Sequence, residues 1–159
     1  MNRAFTIRLA SIALVLGIVA CAPMAPPATP VPPPVVAAPP APPTLYQQLG
    51  GQPAITAVVD RMVDNIGHDR RIRRYFAHAN IPQLKAALVD QVCQATGGPC
   101  VYKGPPMRVV HHGMRITNRA FNALVEDLVR AMDSLNVPKP LQQQLLAILG
   151  PLKADIVNV

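Results

Sequence analysis

Eleven prolines fall between Pro23 and Pro43, inside the 22-residue stretch Ala22–Pro43. Each proline holds φ at about −65° and lacks a backbone N–H, so neither a helix nor a central strand propagates through such a run. In a chain of 159 residues, folding is therefore left to the 116 residues from Thr44 to Val159, which hold only eight prolines. That is room for one modest domain, not two, and it excludes a large multi-substrate enzyme. The proline run itself favours extended polyproline II. At about 3.1 Å per residue it reaches roughly 65–70 Å. It is predicted to be a semi-rigid spacer. A proline-rich recognition motif is the poorer reading, because no charged flanking residue specifies a partner.

The segment before the spacer explains why one is needed. Met1 to Arg8 holds two arginines and no acid, and Leu9 to Ala20 is an apolar run broken only by Ser11 and Gly17. A membrane-spanning helix needs about 20 residues, so this run is too short and reads as a secretory signal. It closes with Ile18-Val19-Ala20-Cys21, which resembles the bacterial lipobox, where a small residue precedes the cysteine that is lipidated. The expected organisation is a signal peptide over 1–20, lipidated Cys21 and a Pro-rich linker over 21–43, and a folded domain over 44–159. Several acyl chains on one cysteine anchor stably where a single chain does not. The domain is thus expected in the cell envelope, on the exported side of a membrane.

Thirteen of the 15 basic residues and all 8 acids lie in the domain, which leaves it net +5. A basic surface suits acidic partners in general. Export argues against nucleic acid and for anionic surfaces or carboxylate-bearing ligands. The domain has no tryptophan, and its rings are Tyr46, Tyr75, Phe76, Tyr102 and Phe121. Such a core is aliphatic unless a planar apolar group is supplied from outside.

The apolar positions follow helical spacing throughout. Ile55, Val58, Val59, Met62, Val63 and Ile66 form one set, and Ile81, Leu84, Leu88, Val92 and Ala95 a second. The longest runs from Phe121 through Leu124, Val125, Leu128, Val129 and Met132 to Leu135, and Leu141 to Ile156 makes the last. This is an all-α pattern. The breaks have local causes. Gly50-Gly51 supplies positive φ after a short first helix, Asn80 and Thr117 are N-caps, and Pro82 suits a first turn. Gly97-Gly98-Pro99 and Asn136-Val137-Pro138 stop helices. The segment from Pro99 to Thr117 is too rich in Gly and Pro for a long helix.

Of the four histidines, His68, His78, His111 and His112, no pair has the i, i+4 spacing of a helical zinc site. Adjacent His111 and His112 point about 100° apart on a helix, so one faces in and the other out. From the residues alone an inward His111 is a core histidine or a ligand.

The run Met107-Arg108-Val109-Val110-His111-His112-Gly113-Met114-Arg115-Ile116-Thr117 resembles the proximal segment of bacterial truncated haemoglobins, nearest their group I branch. Leu45-Tyr46-Gln47-Gln48-Leu49-Gly50-Gly51 is similar to the family's opening helix. Asp69 through Tyr75-Phe76 resembles its short turn ending in aromatics, and Gly97-Gly98-Pro99 with Tyr102-Lys103-Gly104 resembles the segment before the proximal helix. The resemblance covers essentially all of Tyr46 to Ile156. It implies a two-over-two helical globin holding haem b, with oxygen or another diatomic gas as ligand. It implies His111 as the proximal ligand of the iron, its second nitrogen bonded to a backbone carbonyl of the preceding turn. Phe76 matches the aromatic against the haem face, and Leu84, Leu88 and Val92 match the distal side. Met107, Met114, Ile116 and Phe121 are implied on the proximal side and edge. Lys103, Arg108 and Arg115 lie nearest in sequence to that segment as partners for haem carboxylates; His112 reads as an exposed neighbour, and His78 as a loop histidine, with a sixth ligand as the alternative reading.

The chain departs from the pattern on the distal side. The family usually carries a phenylalanine–tyrosine pair where Met62-Val63 stands, and often a glutamine where Leu88 stands. Gln91, one step around the helix, is the substitute donor if the register is shifted. An apolar distal pocket predicts rapid oxygen release and easy iron oxidation, which puts oxygen-dependent nitric oxide detoxification in doubt. No distal acid–base residue supports a peroxidase or dioxygenase. The competing reading is a haemless globin-like module serving as an envelope binding protein. The redox partner is unspecified.

Cys93 and Cys100 remain once Cys21 is lipidated. In an exported protein, two cysteines seven apart with Gly97-Gly98 between them are a disulfide candidate. Arg70, Arg71, Arg73 and Arg74 form a basic patch, read as a solvated short helix or as a contact for an anionic membrane surface.

Overall fold

The computed structural model describes residues 41–159, and the expected signal segment, Cys21 and the spacer up to position 40 lie outside the described residues. Residues 41–44 are exposed and without regular structure. Six α-helices follow, with no strand among the described residues. They are α1 (Leu45–Gln48), α2 (Gly51–His68), α3 (Ile81–Ala95), α4 (Met107–His111), α5 (Asn118–Ser134) and α6 (Lys139–Leu149), with 3₁₀ turns at Arg73–Phe76 and Gly150–Asp155. None of the described helices is long and apolar enough to cross a membrane.

The helix ends are set locally. Thr44 and Gln47 form a capping box on α1, Thr44 Oγ1 accepting from the Gln47 N–H at 3.3 Å and Gln47 Oε1 accepting from the Thr44 N–H at 2.9 Å. Gly50 (φ 99) and Gly51 (φ 71) then turn the chain into α2, a conformation that disfavours any residue with a Cβ. Asn80 Oδ1 accepts from the Gln83 N–H at 3.2 Å to start α3, and Thr117 Oγ1 from the Ala120 N–H at 3.2 Å to start α5. Between α5 and α6, the Gln142 amide donates to Asp133 Oδ1 (2.8 Å) and to the Val137 carbonyl (2.9 Å), so this buried side chain fixes the turn. The apolar periodicity from Leu141 to Ile156 predicted one helix. The α-helix stops at Leu149 and the chain continues as a 3₁₀ turn, because Pro151 has no N–H to give and its ring crowds the carbonyl four residues back.

Helix α2 lies between α3 and α5 and packs on both. One of its faces, Ile55, Val59 and Val63, closes a small core with Val89 and Cys93 of α3. The other, Val58, Met62 and Ile66, joins the main core with Ile72, Leu128, Met132 and Leu145. On α5 only two large residues of the apolar stripe, Leu128 and Met132, are among the buried positions. The others are Ala120, Ala123, Asp127 and Ala131. Asn65 of α2 donates to the Asp127 carbonyl at 3.1 Å, which places the Ala123–Asp127–Ala131 row against α2. Small residues there let the two backbones approach and turn Phe121, Leu124 and Val125 toward a different space.

Five charged groups fasten the end of α2 to α5. Arg71 spans Asp69 (2.7 Å) and Glu126 (2.6 Å), and Arg130 pairs with Asp127. The hydrogen bond from Arg71 holds the Asp69 carboxyl below its ordinary range. Burial pushes the Asp127 carboxyl above it, and Asp127 Oδ2 has no partner. Arg71 is therefore part of this clamp, whereas Arg70, Arg73 and Arg74 are exposed, Arg74 stacking over Tyr75 with 4.9 Å to the ring centre.

Candidate functional site

The large apolar residues of α3 and α5 border a cavity of about 690 Å³, within the size range of sites that enclose small molecules and cofactors. Leu84, Leu88 and Val92 repeat every fourth residue on α3 and line it, while Val89 and Cys93 on the neighbouring face are buried against α2. The three are only half-buried, although their spacing is that of a core stripe. Apolar area that no protein covers forgoes about 25 cal/mol per Å², so such a wall calls for an apolar occupant. Met62 of α2, Phe76 of the 3₁₀ turn, and Phe121, Leu124 and Leu128 of α5 continue the lining, with Leu145, Leu146 and Leu149 of α6 behind them.

His111 supplies the directed chemistry. It is the last residue of α4, half-buried, and on the cavity wall. Its Nδ1 lies 2.8 Å from the Met107 carbonyl oxygen. A carbonyl only accepts, so Nδ1 carries the proton and Nε2 keeps its lone pair. That is the tautomer of a metal-ligating imidazole, held by a backbone acceptor one helical turn back. The next residue leaves the helix (His112, ψ 129), and Gly113 at φ 77 turns the chain away. His112 is exposed, as is His78.

Of the residues implied at the site, the cavity brings together His111, Phe76, Leu84, Leu88, Gln91, Val92, Met62, Met107 and Phe121. Three lie elsewhere. Val63 is 8 % exposed and packs with Val89 and Cys93 of α3, one helical turn beyond Val59, which still reaches the wall. Ile116 is buried in the main core, its carbonyl accepting from the Asn158 N–H at 3.0 Å. Met114 packs on that core beyond the turn at Gly113. Lys103, Arg108 and Arg115 are exposed and off the wall, and Arg108 pairs with Asp155 at 3.6 Å. Sequence reasoning did not find Tyr102, Gly104 and Pro105 on the wall. The missing signal is steric: a Cβ at position 104 would collide with the Tyr102 hydroxyl, so this glycine admits the ring.

The sequence profile of the bacterial-like globin family matches residues 44–158. The chain belongs to that family. A group 1 truncated haemoglobin of Tetrahymena thermophila is 34% identical over 116 residues, covering 73% of this chain and 96% of that protein. One of Mycolicibacterium paratuberculosis is 30% identical over 117 residues, covering 74% and 86%. Within the bacterial-like globins the chain is thus a group 1 truncated haemoglobin. Among solved structures, the Fe(III) form of the truncated haemoglobin from Tetrahymena pyriformis superposes with a TM-score of 0.70 at 26% identity, covering 72% of this chain and 98% of that one. The two-over-two haemoglobin of a Synechococcus species, in the cyanomet state and with covalently attached haem, gives 0.69 at 28% identity, covering 74% and 100%. The globin fold is the two-over-two one.

Proposed function

We propose that this globin binds haem in the cavity, with His111 as the ligand of its iron, and takes up a diatomic gas such as oxygen, nitric oxide or carbon monoxide. The observation that carries the reading is His111 itself: an imidazole on an apolar wall whose Nδ1–H is committed to the Met107 carbonyl at 2.8 Å, leaving Nε2 as a donor atom for a metal. Haem supplies an iron centre for gas binding and redox change. The chain's residues do the rest. Phe76 and Phe121 offer ring faces and edges to a planar group, and Leu84, Leu88 and Val92 keep water from one side of it. Among the described residues no lysine or arginine lines the cavity, and Lys153 stands over the Phe121 ring, 5.6 Å from its centre, as the cation beside the wall that would meet a haem carboxylate.

The residues also set how firmly a gas ligand is held. Val63, where the family usually has tyrosine, faces away from the cavity and has no donor. Leu88 has none. Gln83 and Gln91 are the amides on the α3 wall. A hydrogen bond to a polar ligand in a dry pocket contributes about 1–3 kcal/mol. Its absence at positions 63 and 88 makes this a site of rapid oxygen release and ready access for apolar gases. Arg3, Arg8, the apolar run to Ala20 and Cys21 support tethering of the domain in the envelope through a lipidated Cys21.

Titration of the purified domain with haem tests the proposal. One haem per chain, a Soret band and a carbon monoxide difference spectrum are expected. An absorption spectrum no different from free haem would refute it and favour the haemless binding module.

A further inference from the structure

The cavity edge nearest His111 is made by a segment with almost no regular structure. From Cys100 to Pro106 the chain forms neither helix nor strand, yet Tyr102, Gly104 and Pro105 are part of the wall. The segment leads directly into α4 and its ligand histidine. It is held to α3 in two ways. The Tyr102 N–H donates to Gln94 Oε1 at 2.6 Å, a bond from an exposed side chain. And Cys93 is joined to Cys100 by a disulfide, with Cα atoms 5.7 Å apart. The two anchors differ in firmness. Cys93 is fully buried among Ile55, Val59, Val63 and Val89, so it is a fixed post. Gly98 is fitted against it: a Cβ there would stand 2.6 Å from Cys93 Sγ and 2.5 Å from the Tyr46 ring. Cys93 also follows Val92, which lines the cavity. One covalent bond therefore links the α3 wall to the strap that carries His111.

We propose that the Cys93–Cys100 bond is a redox-sensitive clasp on the cavity. Oxidised, it holds the Cys100–Pro106 strap against α3. Reduced, the strap keeps the hydrogen bond to exposed Gln94 and the packing of Cys100 on the small core but loses its covalent tie, opens locally, and lets bound haem escape faster. The reaction consumes two electrons and two protons. A dithiol breaks the S–S bond by giving up two electrons and two protons and closing its own disulfide; a phosphine does so by taking the oxygen of a water molecule, whose two protons go to the thiols; either leaves two thiols on the protein. Disulfides persist in exported proteins and are kept reduced in the cytosol, so such a clasp would tie firm haem retention to the oxidising side of the membrane. The inference rests on the haem reading above for its consequence, though not for the motion of the strap.

Two measurements test it separately. In haem-free protein, amide hydrogen exchange at Val101, Tyr102, Lys103 and Gly104 is compared with and without a phosphine reductant. Exchange there should rise on reduction while the amides of α2 and α5 keep their protection. In haem-loaded ferric protein, transfer of haem to excess apomyoglobin should be about tenfold faster after reduction, the signature of a local opening. Cys100→Ser, at the half-buried end of the bond, should show the fast rate with and without reductant; it avoids disturbing buried Cys93. Equal exchange and equal haem transfer in all forms would overturn the proposal. Faster strap exchange in a protein that never takes up haem would uphold the clasp and refute the haem reading instead.

Discussion

Leu88→Gln is the substitution that most directly reads the distal side. Leu88 is half-buried on α3, one turn from both Leu84 and Val92, and on the cavity wall. Leucine and glutamine have similar helix propensities and similar length, so the backbone has little reason to move. The change places an amide donor on a wall where Leu84 and Val92 offer none. A hydrogen bond from it to a polar gas ligand is worth about 1–3 kcal/mol, which slows release by about 5–150-fold. Without ligand the amide faces an apolar cavity open to water, so the loss of fold stability is at most about 1–3 kcal/mol. Oxygen release is measured by stopped-flow displacement with carbon monoxide, and the fold is checked by circular dichroism. The wild type should release oxygen rapidly, Leu88→Gln slowly, and Gln91→Leu about as the wild type does. A folded Leu88→Gln protein with unchanged release would show that α3 does not face the bound gas. A large acceleration in Gln91→Leu would show that the pocket already has a donor and that the apolar account is wrong.

Other expectations follow from the packing, the charges and the proposed lipidation. Ala131→Leu introduces three carbons into the fully buried row between α5 and α2; overpacking should cost about 1–3 kcal/mol in a urea melt, and a neutral result would contradict the close approach. Asp69 and Asp133 have carboxyl groups held below their ordinary range, by hydrogen bonds from Arg71 and from Lys139 with Gln142 respectively. Their stabilisation is present above the usual carboxylate value near 3.8 and is lost as pH falls through the lower folded values. The raised Asp127 works in the opposite sense, its contribution present at low pH and lost as pH rises through its folded value. Lys139→Gln should flatten the acid limb of a stability-against-pH curve, and an unchanged limb would remove Asp133 from the account. In cells, Cys21→Ser should abolish incorporation of radiolabelled palmitate, and labelling that persists would refute lipidation at that position.

The parts of the fold visible in the sequence are those with local causes. Asn80 and Thr117 cap their helices through bonds three residues away, and such bonds need no tertiary context. Periodicity also showed which residues of α3 and α5 are apolar. It did not show what they face. Leu84 and Leu88 carry a core pattern yet line a cavity, because helical spacing is the same whether the neighbour is protein or ligand. On α5 the row against α2 is Ala123, Asp127 and Ala131, which no hydrophobicity count selects. Met62 and Val63 stand about 100° apart, and both are apolar, so only packing decided that Met62 meets the cavity and Val63 meets α3. His111 was identified through the family's proximal segment. Its tautomer, however, depends on the Met107 carbonyl and follows from α4 being helical. The strap residues were missed because Tyr102 and Gly104 act through a single steric fit.

The central claim is that His111 holds the iron of a haem, and one variant tests it most directly. His111→Gly removes the imidazole and leaves the α3 wall and Phe76 in place. The haem-reconstituted variant should lose the ligand-field bands of a histidine-bound iron, and added imidazole should restore them. A spectrum identical to the wild type's, with no response to imidazole, would contradict the account.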